Sequence, residues 1–196
     1  MTTTARPGRA GRRAAATRDD VVDAALDRYL RGYRVDVRAI AAELGLGRTT
    51  IYRWFGSRDV LLGEVLARAT DPVIDAARAG ARGRGGRALL ETFDLLNRAL
   101  ADAPALRTFV ENERDAALRV ITSGSAFLQP HMVARISDLI DSEVTAGHYD
   151  PPVEVATLAY AIVKLAEAFL FNDAAAGMRG DVDRLRDIEA ALLGVR

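Results

Sequence analysis

Arg48, Thr49, Tyr52 and Arg53 lie at i, i+1, i+4 and i+5, immediately after the tripeptide Gly45-Leu46-Gly47. On a helix this spacing makes one continuous stripe. Two guanidiniums, a hydroxyl and a phenol on one face suit a polyanion that also displays donors and acceptors, as the major groove of DNA does. Arginine can bond guanine O6 and N7 bidentately, and threonine can touch a thymine methyl group or a phosphate. Tyr52 adds an aromatic body and a hydroxyl for the backbone.

No other constellation competes with this one. The chain has no cysteine, which excludes disulfides, thiolate metal sites and cysteine nucleophiles. The only histidines, His131 and His148, lack metal-ligand spacing. Glu111 and Glu113 are two apart on a helical pattern and point to different sides, a poor acid–base pair. There is no GxSxG elbow and no phosphate-cradling loop; GARGRGG (80–86) follows no strand and reads as a linker. Neither a catalytic site, a metal site nor a cofactor is expected, and the chain does not read as an enzyme.

The elements that must position the stripe are helical. Thr17 caps a first helix carrying Val22, Ala25, Leu26 and Tyr29, which ends near Gly32. Asp36 caps a second, with Ile40, Ala41 and Leu44 on one face. Gly45 stands where a left-handed residue closes that helix. A third spans about 48–55, and Ser57 caps a fourth. Helix, Gly-containing turn and helix make a helix-turn-helix, whose second helix enters the major groove. Ile40, Leu44, Leu46, Ile51 and Phe55 supply its core.

Beyond it, Asp71-Pro72 reads as a cap and first-turn proline of a new helix. Helical patterns follow at about 87–102, 104–122, 130–146, 152–172 and 181–194, punctuated by glycines such as Gly124, Gly147 and Gly177 and by prolines. The fold class is therefore all-α. The segment 152–172 is apolar around nearly its whole circumference, which fits either the centre of a monomer's core or a subunit interface.

Charge divides the chain in the same place. Residues 1–58 hold 12 Arg and 6 Asp/Glu, net +6, while the remainder holds 15 Lys/Arg and 21 Asp/Glu, net −6. A basic first third matches a polyanion partner. Residues 1–16, with Arg6, Arg9, Arg12 and Arg13 among small residues, form a basic arm. It enters the adjacent minor groove or trails as a solvated tail. No stretch approaches the roughly 20 apolar residues a membrane span needs, and the basic N-terminus lacks a signal peptide's apolar segment. A cytoplasmic protein is expected.

The stretch VVDAALDRYLRGYRVDVRAIAAELGLGRTTIYRWFGSRDVLL (21–62) resembles the DNA-binding domain of the TetR family of bacterial regulators. The match is carried by Leu44-Gly45-Leu46 and by Ile51, Tyr52, Phe55, Ser57, Arg58, Leu61 and Leu62. The resemblance implies that Arg38 faces DNA, that Arg48 and Thr49 read bases, and that Thr50 and Tyr52 contact the backbone. Arg53 touches either, and Arg58 replaces a phosphate anchor that is commonly lysine. Two residues depart from the pattern. Gly47 sits where Ser or Thr often caps the recognition helix. Trp54 replaces a common histidine and either packs on the core or donates its indole N–H to a phosphate.

The resemblance further implies a helix-turn-helix domain at 17–62, and a ligand-binding and dimerisation domain at 63–196. The dimer would form through the last two helices. The partners are a double-stranded operator and a small effector, and the function is that of a repressor released from DNA by that effector. The alternatives are a DNA-binding dimer without a ligand, or an activator. AYAIVKLAEAFLFND (159–173) resembles the subgroup typified by a regulator of quorum-signal lactone degradation, which implies a lactone or fatty-acyl effector. Candidate ligand-binding residues are Phe93, Asn97, Glu111, Arg114, Phe127, His131 and Met132. Lys164 and Glu167, three apart, read as a structural ion pair.

Overall fold

The computed structural model describes residues 16–123, 127–172 and 180–195. The basic arm up to residue 15 and the glycines at 124 and 177 lie outside the described residues. Within them the chain forms ten α-helices, one π-helical segment and no strand.

Helix α1 (Arg18–Leu30) starts with a reciprocal cap: the Asp20 backbone N–H donates to Thr17 Oγ1, and the Thr17 N–H donates to Asp20 Oδ2 at 2.7 Å. Helix α2 (Val37–Leu44) is capped by Asp36, whose Oδ1 accepts from the Arg38 N–H at 2.7 Å. It closes on Gly45 at φ 67°, a conformation that costs any residue with a Cβ about 1–2 kcal/mol. Helix α3 (Arg48–Phe55) has no side-chain cap at Gly47. Helix α4 (Arg58–Gly80) is capped by Ser57 Oγ. There follow α5 (Gly85–Asp102), α6 (Pro104–Asn112), α7 (Arg114–Thr122), α8 (Leu128–Thr145) and α9 (Val155–Glu167). The π-helical segment (Ala168–Asn172) continues α9, and α10 (Val182–Leu192) closes the fold.

Two expectations about element boundaries are corrected. No helix begins at Asp71-Pro72; Pro72 lies inside α4. A mid-helix proline costs a hydrogen bond and about 3 kcal/mol. Here the helix is held on both sides of it, by Leu66 and Ala67 before and by Ile74 and Ala77 after, all buried. Asp71, freed from capping, binds His131 Nε2 at 2.8 Å and Arg135 Nε at 3.1 Å. The pattern at 104–122 is two helices, broken at Glu113, which leaves helical geometry at φ −135°. The segment 152–172 is not enclosed on all sides: Leu158, Ala159, Ile162 and Val163 are buried, but Ala156, Thr157 and Tyr160 are exposed.

The packing forms two apolar clusters. One joins α1, α2 and α3 to the first half of α4, and also to α6, α7 and Leu128. Tyr29 of α1 meets Phe109 of α6 edge to face, with ring centroids 6.2 Å apart. The other cluster joins the second half of α4 to α5, α8, α9 and the C-terminal end, around Ile74, Phe93, Ile140 and Leu158. The expected boundary between residues 62 and 63 thus falls inside α4, and the core crosses it without a seam.

A shared core implies cooperative unfolding. Phe109→Ala removes a buried ring outside the helix-turn-helix and should cost about 3–5 kcal/mol. Its thermal transition should shift equally when followed by the fluorescence of Trp54, the only tryptophan, and by far-UV circular dichroism. Separate transitions for the two probes would contradict a common core.

Candidate DNA-reading face and effector cavity

Ile51 and Phe55 anchor α3 in the core, at 1% and 4% exposure, which turns the opposite side of the helix outward. Arg48, Thr49, Tyr52 and Arg53 are exposed on it, and Thr50 is half-buried. Arg38, at the start of α2, is exposed as well. Among the described residues none of Arg38, Arg48 and Arg53 has an ion-pair partner. Their charge is free to meet a phosphate or a base edge. Trp54 is half-buried and packs on the first cluster.

Arg58 stands elsewhere. Its Nε donates to the Val35 carbonyl at 2.8 Å, and its Nη2 reaches Glu113 Oε2 at 2.8 Å. Glu113 also meets Arg34 Nε at 3.3 Å. The residue expected to anchor a phosphate is therefore engaged, at the break between α6 and α7, in tying the turn before α2 to the bundle. A carboxylate 55 residues away in sequence claims its donors.

Behind the reading face lies an apolar cavity of about 340 Å³, within the size range of small-molecule sites. Its wall draws on α4 to α10 and, from the first helix, on Tyr29 and Leu30. Of the seven candidate ligand residues, Phe93, Asn97 and Met132 line it. Four do not. Glu111 and Arg114 border a separate polar cleft beside Arg58, because the break at Glu113 turns this part of α6 and α7 outward. Phe127 is 42% exposed and stacks on His131 at 5.6 Å, while His131 is held by Asp71. Missed in the sequence were Tyr29 and Leu30, Leu96 and Leu100 of α5, Ile162 of α9, and two acids, Glu167 and Glu189. Glu167 read only as the partner of Lys164, and nothing local marks Glu189; the packing of α9 and α10 brings both to the cavity wall.

Glu167 is paired with Lys164 Nζ at 2.7 Å, as the spacing suggested. Burial nonetheless pushes its pKa up. Glu189 is fully buried, and Asn97 Nδ2 donates to its Oε1 at 3.0 Å. Desolvation raises it from 4.5 to about 7, against the Asn97 hydrogen bond. The Tyr29 hydroxyl is likewise pushed up by burial.

These placements separate the arginines by experiment. Arg48→Ala should relax preference at one base pair, by about 1–3 kcal/mol. Arg53→Ala should weaken all sequences alike and reduce the salt slope of binding by about one. Arg58→Ala should leave the slope unchanged and instead cost about 1–3 kcal/mol of stability. DNA titrations across a salt series, with thermal melts, would check all three, and a reduced slope for Arg58→Ala would return that residue to a phosphate. Glu189 gives a pH signature. Between pH 4.5 and about 7 the folded chain holds a proton that the unfolded chain has released. Stability should therefore fall as pH rises through that window, by up to about 3 kcal/mol. Glu189→Gln should remove that component, as read by denaturant titration at pH 5 and pH 8.

Comparison with known proteins agrees with this geometry. Residues 84–194 match the model of the Tetracyclin repressor-like, C-terminal domain, and residues 21–65 match that of bacterial regulatory proteins, tetR family. No curated protein matches significantly. Among solved structures, the transcriptional repressor QsdR of R. erythropolis is similar at 28% identity and a TM-score of 0.82, over 91% of this chain and 94% of that one. A tetR-family regulator from Streptomyces coelicolor aligns at 19% identity and a TM-score of 0.47, over 89% of this chain and 79% of that one. FadR from Bacillus subtilis, in complex with stearoyl-CoA, aligns at 12% and 0.48, over 92% of this chain and all of that one. The chain belongs to the TetR family of bacterial regulatory proteins, DNA-binding regulators rather than enzymes, with a C-terminal domain of the QsdR-like subgroup.

Proposed function

We propose that this regulator is a cytoplasmic repressor that binds a pseudo-palindromic operator as a homodimer and leaves it when a small, largely apolar effector fills the cavity. One observation carries the ligand response: the same cavity is walled by Tyr29 and Leu30 of α1 and by the helices of the bundle. Since α1 supports the reading helix, a ligand there acts on the support directly. It needs only to prefer one head position over the other; that difference in affinity is the loss of DNA affinity. The similarity to a transcriptional repressor supports the sign of the regulation. In this reading residues 17–62 read DNA, and 63–196 hold the effector and dimerise. The exposed strip of α9, with Ala156, Thr157 and Tyr160, offers the subunit contact, joined by half-buried Ile188 and Leu192 of α10.

A neutral lipophilic hydrocarbon dye, 1,6-diphenylhexatriene, tests the coupling. It should bind with enhanced emission and weaken operator binding, and operator DNA should weaken the dye by the same factor, about 5- to 150-fold. Ala166→Phe, which fills part of the cavity wall, should abolish dye binding and keep DNA binding. Dye and DNA that bind independently would contradict an effector-linked repressor.

A further inference from the structure

Two acids in a largely apolar wall raise the question of what they meet. They are not equivalent. Glu167 is neutralised by Lys164 and accepts a second hydrogen bond from Gln129. Glu189 is fully buried on α10, and its Oε2 has no hydrogen-bond partner among the described residues. Among the described residues no lysine or arginine lines the cavity. The charged groups around Glu189 are already committed. Asp94 of α5 is paired with Arg98 at 3.0 Å and lies 3.7 Å from Arg186 of α10. A buried acceptor left unmade costs about 1–3 kcal/mol. Glu189 borders the cavity with Oε2 closed off from it; a ligand that brings a donor removes that cost once the side chain turns toward it.

We infer that the effector is an apolar molecule ending in a protonated amine, whose N–H donates to Glu189 Oε2 while its hydrocarbon part occupies the cavity. The inference rests on the cavity being the effector site. A carboxylate or phosphate ligand would instead face two acids and, among the described residues, no lining base. A lactone or fatty-acyl carbonyl could only accept, and could not satisfy Glu189 Oε2 while that carboxylate is ionised. With Glu189 poised at about 7, these chemistries have opposite pH dependence. An amine gains affinity as Glu189 ionises, whereas an accepting carbonyl loses it.

The test uses octylamine, octanoate and γ-octalactone as competitors of the neutral dye on the full chain, at pH 6 and pH 8. Octylamine should bind most tightly, and more tightly at pH 8, since alkylamines stay protonated across that range. Glu189→Gln should weaken octylamine about tenfold or more and remove the rise of its affinity between pH 6 and pH 8; a cooperative thermal melt shows that this variant is folded. The inference is overturned if octanoate or the lactone binds as tightly as the amine. An amine affinity that falls from pH 6 to pH 8, or that ignores Glu189→Gln, overturns it equally. Failure of the dye itself to bind the unaltered chain would remove the cavity reading and this one with it, which separates the two failures.

Discussion

Tyr29 and Phe109 are buried against each other, one on the first helix of the reading head and the other on α6 of the bundle. Around them Val21, Val22 and Ala25 of α1 share a cluster with Leu61, Val65, Ala117 and Val120. Close-packed interiors transmit displacement instead of absorbing it. A head built this way cannot tilt without disturbing the helices that wall the cavity, and those helices cannot shift without moving α1. The unbroken run of α4 from Arg58 to Gly80 adds a second, stiff connection across the same boundary.

Electrostatics divides the arginines into two populations. Most of the paired ones are structural: Arg18 holds buried Glu64, Arg58 holds Glu113, and Arg78 holds buried Glu143. Those at the reading face are left without acids. The neutral total charge therefore hides an unneutralised surface where a polyanion can bind, beside a body whose cations are mostly spent within it.

The reading head was legible in the sequence because its signals are local. Thr17, Asp36 and Ser57 cap through bonds spanning two or three residues, and Gly45 takes a backbone conformation that other residues avoid. The alternation of Ile51 and Phe55 with Arg48, Tyr52 and Arg53 set the two faces of α3. What was illegible depends on distance along the chain. Asn97 and Glu189 meet across 92 residues, and Arg58 and Glu113 across 55; spacing carries no trace of either pair. Pro72 misled because a proline ordinarily marks a helix start, whereas here the packing on both sides of it outweighs the local cost. The Glu113 break carries no glycine or proline to announce it.

Selection and sequencing of DNA fragments bound by the purified protein, at near-physiological salt, tests the account most directly. It predicts a pseudo-palindromic motif, because two copies of α3 related by a two-fold axis must each read the same few base pairs. Recovery of DNA without any shared motif would contradict it, and would leave the exposed arginine stripe as a non-specific electrostatic surface.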